Sequence, residues 1–241
     1  MGRITSALIL INIAVFLLVF SMPDALMENT FSAFQFSSSG FLEVWRWLTS
    51  MFLHASASHI FFNMLALYFF GNAIEDEIGA RRFLLIYFLS GVAGNLAYGL
   101  TSAVPAVGAS GCIFGIMGAA MLMKPKEMIN MYVFPLPLGV IAMLYVLTQA
   151  ALAAVPVNEM GIAYMAHIGG LAAGSLIMLY SEPKNSAKGV LVLAGLGILM
   201  LVLWPFVGLL VGIGQLVLGF FDFVVGIVLY GTAKLLLSWL W

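Results

Sequence analysis

Long apolar runs separated by short polar clusters set the pattern of this chain. Runs near 4–22, 57–73, 82–101, 109–123, 129–151, 160–180, 189–212 and 215–238 carry few charges. A helix needs about 20 mostly apolar residues to cross a bilayer. The pattern therefore predicts an all-α polytopic membrane protein. The fourth run is short, and its first turn is expected to sit within protein rather than lipid. The end of the chain is open to two readings: two spans, or one span and a helix lying in the interface. Gly208, Gly212 and Gly214 mark the expected break between them.

Composition supports this class. Of 241 residues, 63% are hydrophobic and 8% charged, against about a quarter charged in a soluble domain. Nine Lys and Arg balance ten Asp and Glu, which excludes a nucleic-acid surface, since that needs a basic excess. Basic residues set orientation. With eight spans and a cytoplasmic N-terminus, Arg3, Arg81, Arg82, Lys124, Lys126, Lys184, Lys188 and Lys234 fall inside and only Arg46 outside. The start of the chain resembles a signal peptide, but its apolar run is long enough to be read as a retained first span. Met1-Gly2-Arg3-Ile4-Thr5-Ser6 fits a myristoylation pattern, for which a spanning chain has little use. The single cysteine, Cys112, excludes an internal disulfide and reads as a buried, inert thiol.

This topology runs the second, fourth and sixth helices in one direction, and three polar sites then share a level below the outer surface. They are His59 with Asn63, Ser110, and His167. On the fourth helix Gly108, Gly111, Gly115 and Gly118 draw a smooth stripe, as Gly170 and Gly174 do beside His167 on the sixth. Such stripes let helix backbones approach closely in a membrane and would bring Ser110 to His167. A neutral imidazole can take the proton of a serine hydroxyl. The Ser110 N–H at a helix start, the Asn63 amide and the His59 ring are candidate donors to an oxyanion. Within the second, fourth and sixth helices no acid lies at this level apart from Glu159 near the mouth, so a Ser-His dyad is favoured over a triad. Plainer readings exist: His59 as a helix cap, Asn63 as an interhelical hydrogen bond, the glycines as packing alone. His54 is expected to order the loop before the second helix. Asp222 stands inside a span and reaches Lys234 only poorly. The three histidines lack metal-ligand spacing, and neither metal nor cofactor is expected.

Gly108-Ala109-Ser110-Gly111, His59-Ile60-Phe61-Phe62-Asn63, and Ala166-His167-Ile168-Gly169-Gly170 with Gly174 resemble the motifs of rhomboid intramembrane serine proteases. Glu43-Val44-Trp45-Arg46 is similar to that family's tryptophan-arginine element. The resemblance covers roughly residues 4–180. It implies a six-helix catalytic core over 1–180, with one or two extra helices over 181–241. It implies Ser110 as nucleophile, His167 as base and then acid, and an oxyanion site of His59, Asn63 and the Ser110 N–H. Trp45 and Arg46 would anchor the first outer loop, and the fifth helix would be the mobile side where a substrate enters. Phe114 stands where many relatives have a tyrosine packed on the base. The implied clients are single-span transmembrane proteins cut near the extracytoplasmic end of their helix. The expected setting is a prokaryotic plasma membrane. The rival readings are a catalytically silent binding scaffold of the same fold and a transporter. The latter would show mid-span charges or repeats.

Overall fold

A computed structural model describes residues 2–130, 135–154 and 163–237. The chain is mostly helical. Helix α1 (Arg3–Phe20) is followed by α2 (Asp24–Phe34), the short α3 (Arg46–Thr49), the long α4 (Ala57–Gly99) and α5 (Ser110–Met123). Strands β1 (Met128–Asn130) and β2 (Pro135–Pro137) come next, then α6 (Leu138–Ala154), α7 (Tyr164–Ser181) and α8 (Pro183–Leu237). Among the described residues, α1 and α4 are long and apolar enough to cross a membrane, and α5 is a shorter apolar helix. Leu10, Leu17 and Leu18 on α1 and Leu176 and Tyr180 on α7 are exposed, as lipid-facing side chains are.

Helix α4 is a hairpin of two limbs. Gly79 interrupts the helical backbone with φ 77, a left-handed value that glycine adopts without Cβ strain. His59 on the first limb approaches Gly108, and Gly94 on the second approaches Gly111, so both limbs reach the same end of α5. The second and third expected spans are these limbs.

Helix α5 is the axis of the bundle. Every residue from Gly111 to Leu122 is buried, so at roughly 21 Å long it is enclosed by protein. Its partners meet it backbone to backbone. A Cβ at Gly170 would collide with the Gly111 carbonyl, and one at Gly174 with the Gly115 carbonyl. On the α4 side, Gly91 packs on Cys112 and Gly94 faces the Ala166 carbonyl of α7. Around this axis Phe70, Ile74, Phe83, Ile86, Ile116 and Met117 fill the core.

Helix α1 is tied to α4 by an acid that the apolar pattern hid. Glu75 is buried in the first limb and accepts the N–H groups of Ile4 (2.9 Å) and Thr5 (2.7 Å). These first-turn donors have no partner within their own helix. The second expected span stopped at residue 73, which left Glu75 outside it; the limb runs on to Ile78.

One expected boundary is corrected. The mostly helical fold carries a short two-stranded sheet: β1 pairs antiparallel with β2, with Met128 opposite Pro137 and Asn130 opposite Pro135. The fifth helix consequently starts at Leu138 rather than 129. Pro135 and Pro137 lack the N–H that an earlier helix would need. The C-terminal segment is helical from Pro183 to Leu237.

The glycine contacts predict a contrast. Gly174→Val forces α7 away from α5 and is expected to cost about 1–3 kcal/mol, lowering the thermal midpoint in detergent micelles. Gly195→Ala on α8 has open space around it and is expected to leave the midpoint unchanged or slightly raised. Scanning fluorimetry of the two variants measures the difference.

Candidate functional site

The site forms where α5 and α7 begin, under the loop that precedes α4. That loop is pinned from several directions. Arg46 pairs with Glu43 (2.6 Å) and donates to the carbonyls of Ser32 (2.5 Å) and Gln35 (3.1 Å). A guanidinium at the end of α2 satisfies carbonyls that lack helical partners. Trp45 donates from Nε1 to the Ala33 carbonyl at 3.3 Å. Trp47 stands edge-on to Phe36 and Phe41. Phe36 and Ala106 exchange backbone hydrogen bonds, which joins this loop to the segment that leads into α5.

Gly108 and Ala109 then set the approach to Ser110. The Gly108 N–H donates to the Ser50 carbonyl at 2.9 Å. Its φ of 120 suits glycine, and close approach requires it as well. A Cβ there would lie 2.7 Å from Cε1 and Nε2 of the His59 ring and 3.7 Å from Nδ2 of Asn63. Both expected donors therefore face the backbone two residues before Ser110.

Ser110 and His167 meet. Oγ of Ser110 lies 2.8 Å from Nε2 of His167. The His167 ring stacks on Phe114, centroids 4.3 Å apart and planes 7° off parallel. Phe114 also meets Tyr145 of α6 edge-on. His167 and Asn63 are buried. A hydroxyl held against an imidazole is the arrangement in which a base can activate a serine.

The remaining expected residues fall as follows. Gly111, Gly115, Gly170 and Gly174 form the contact between α5 and α7. Cys112 is fully buried on the α4 side. His54 receives the Ala109 N–H at a long 3.5 Å and stands edge-on to His59. Glu159 lies outside the described residues. Asp222 binds Ser58, accepting its N–H at 2.6 Å and its hydroxyl at 2.5 Å; the Lys234 side chain lies outside the described residues. Among the described residues, no three His, Cys, Asp or Glu side chains converge as a metal site would need.

Sequence reasoning missed Ser50 and Asn95. Asn95 donates to the Trp47 carbonyl (3.0 Å) and to Ser50 Oγ (3.1 Å). These two fix the loop over α5. An asparagine in a mid-span apolar run was the available signal, the same that picked out Asn63. A cavity of about 10 Å³ borders Ser110, Gly108, Asn95 and Met51, the space of roughly one water.

A family model described as Rhomboid domain matches residues 42–183. The chain belongs to the rhomboid family. It is 27% identical over 189 residues to the rhomboid protease GlpG of Yersinia pseudotuberculosis serotype I (strain IP32953), covering 78% of this chain and 66% of that protein. GlpG of Yersinia pestis (strain Pestoides F) matches to the same extent. The rhomboid protease GluP of Bacillus subtilis (strain 168) is 36% identical over 132 residues, covering 55% of this chain and 25% of that protein. The match thus spans just under two thirds of the GlpG relatives. Rhomboid membership makes the chain an integral membrane protein.

The loop histidine supports a pH prediction. Burial, with the His59 ring beside it, pushes the His54 imidazole down to about 3, against about 6.5 in an unfolded chain. Between these values the unfolded state binds the extra proton, so stability is complete above 6.5 and declines as pH falls. Thermal midpoints in micelles are expected to drop from pH 7 to pH 4, with a shallower slope in His54→Gln.

Proposed function

We propose that this rhomboid is an intramembrane serine endopeptidase working through a Ser110–His167 dyad. The observation that carries the reading is the 2.8 Å contact between Ser110 Oγ and His167 Nε2. In this reading Oγ attacks the scissile carbonyl while Nε2 takes its proton, forming a tetrahedral oxyanion. The Ser110 N–H, the Asn63 amide and the His59 ring supply the donors to that oxygen. His167 then passes the proton to the leaving amine, and water releases the acyl chain from Ser110. Stacking on Phe114 restricts how His167 can tilt, through a face contact rather than a hydroxyl.

The unit proposed to carry this chemistry is the region 1–180, with 181–241 appended to it. The basic residues favour a cytoplasmic N-terminus, which sets the dyad near the extracytoplasmic side. The proposed substrates are single-span membrane proteins, entering past α6 and cut near the outer end of their helix. A peptide bond inside a regular helix is shielded by its own hydrogen bonds, so small or helix-breaking residues at that end lower the cost of exposing it. A prokaryotic plasma membrane is the setting proposed.

Labelling by a fluorophosphonate and cleavage of candidate single-span proteins in proteoliposomes test the reading. Ser110→Ala and His167→Ala are each expected to lower both by about 10³-fold or more, with helical content unchanged. Cleavage that persists in Ser110→Ala refutes the assignment. Asn63→Ala is expected to slow the reaction by about 10²–10³-fold with KM little changed.

A further inference from the structure

An acid on an apolar helix needs a reason, and Asp222 has one at the far end of a polar chain. Its carboxylate takes both donors of Ser58, in the first turn of α4. Ser58 Oγ lies 3.1 Å from Ser56 Oγ, and Ser56 Oγ accepts the His59 N–H at 3.1 Å. A carboxylate only accepts hydrogen bonds, so it fixes every direction in the chain. The Ser58 hydroxyl donates to Asp222, the Ser56 hydroxyl to Ser58, and the His59 amide to Ser56. Phe221, next to Asp222, packs on Phe61 of α4 with centroids 5.0 Å apart, which seats the two helices at this level. The turn held in this way carries the His59 ring that faces Gly108.

We propose that Asp222 is a positioning residue for the active site, holding the first turn of α4 so that the His59 ring stays aimed at the oxygen of the carbonyl that Ser110 attacks. Asp222 touches neither substrate nor Ser110, and it acts through His59. A negative charge at a helix N-terminus is favourable in itself, and here it also closes a network that leaves the first turn a single arrangement. The C-terminal helix is therefore a working part of the site. The proposal rests on the protease reading above.

The test compares Asp222→Ala and Asp222→Asn in the full chain, each alone and combined with His59→Ala. Fluorophosphonate labelling rate, kcat and KM are measured, with thermal midpoints alongside. Asp222→Ala is expected to lower labelling and kcat about tenfold with KM changed less than about twofold. Asp222→Asn, which keeps an acceptor and a similar shape, should lose only about threefold. In the His59→Ala background Asp222→Ala should add nothing, because both variants remove one shared function. Equal labelling by wild type and Asp222→Ala overturns the proposal, and so does the same loss with and without His59. Should Asp222→Ala fail to fold, Asp222→Asn and Ser58→Ala carry the same comparison. Amide exchange of residues 56–62, followed by mass spectrometry, gives a readout independent of activity. It is expected to speed up about tenfold in Asp222→Ala, and unchanged exchange overturns the tether. A wild-type chain that shows this protection but never labels sinks the protease reading and leaves the tether standing.

Discussion

Ser110 and His167 come together because α5 and α7 pack with no side chain between their backbones. Gly170 rests on the Gly111 carbonyl and Gly174 on that of Gly115. A methyl group at either position would part the helices by more than a 2.8 Å hydrogen bond can tolerate. The same closeness brings the second limb of α4 against both, through Gly91 and Gly94. In a bilayer, where lipid is as apolar as the helix surfaces, shape and close contact supply the cohesion. The position of the Ser110–His167 pair is thus a property of the packing, and the hydroxyl and imidazole are passengers on it.

The second organising constraint is that a polar group inside the bundle must find a partner. The structure answers repeatedly by joining a side chain to a helix end. Glu75 meets the first turn of α1, Arg46 the last carbonyls of α2, and Asp222 the first turn of α4. Each pairing satisfies donors or acceptors that the helix cannot satisfy internally, and each fixes where that helix ends relative to its neighbour. Asn95 does the same for the loop above α5. The polar residues act as fasteners between elements that apolar packing alone would leave free to slide.

Much of the site was legible in the order of residues along the chain. The glycine spacing on α5 and α7 is periodic, so it marks a face without knowledge of the partner. Topology then put Ser110, His59 and His167 at one level; the structure sets Ser110 against His167 and the His59 ring against Gly108. What was not legible depended on contacts between remote segments. The bond from Thr5 to Glu75 spans 70 residues and that from Ser58 to Asp222 spans 164, and no local period encodes either. Asp222 therefore stood out as an anomaly with an unsuitable partner, Lys234. The β1–β2 pair was missed because Pro135 and Pro137 sit inside an otherwise apolar run.

Cys112 has a practical side. It is the sole thiol of the chain and is sealed against Met51 and Gly91 with no exposed surface. Maleimides and spin labels attack accessible thiolates, so the native protein offers them almost no background. Cysteines placed in pairs on α6 and α8 can report distances and crosslinks without first stripping the wild-type residue from the core.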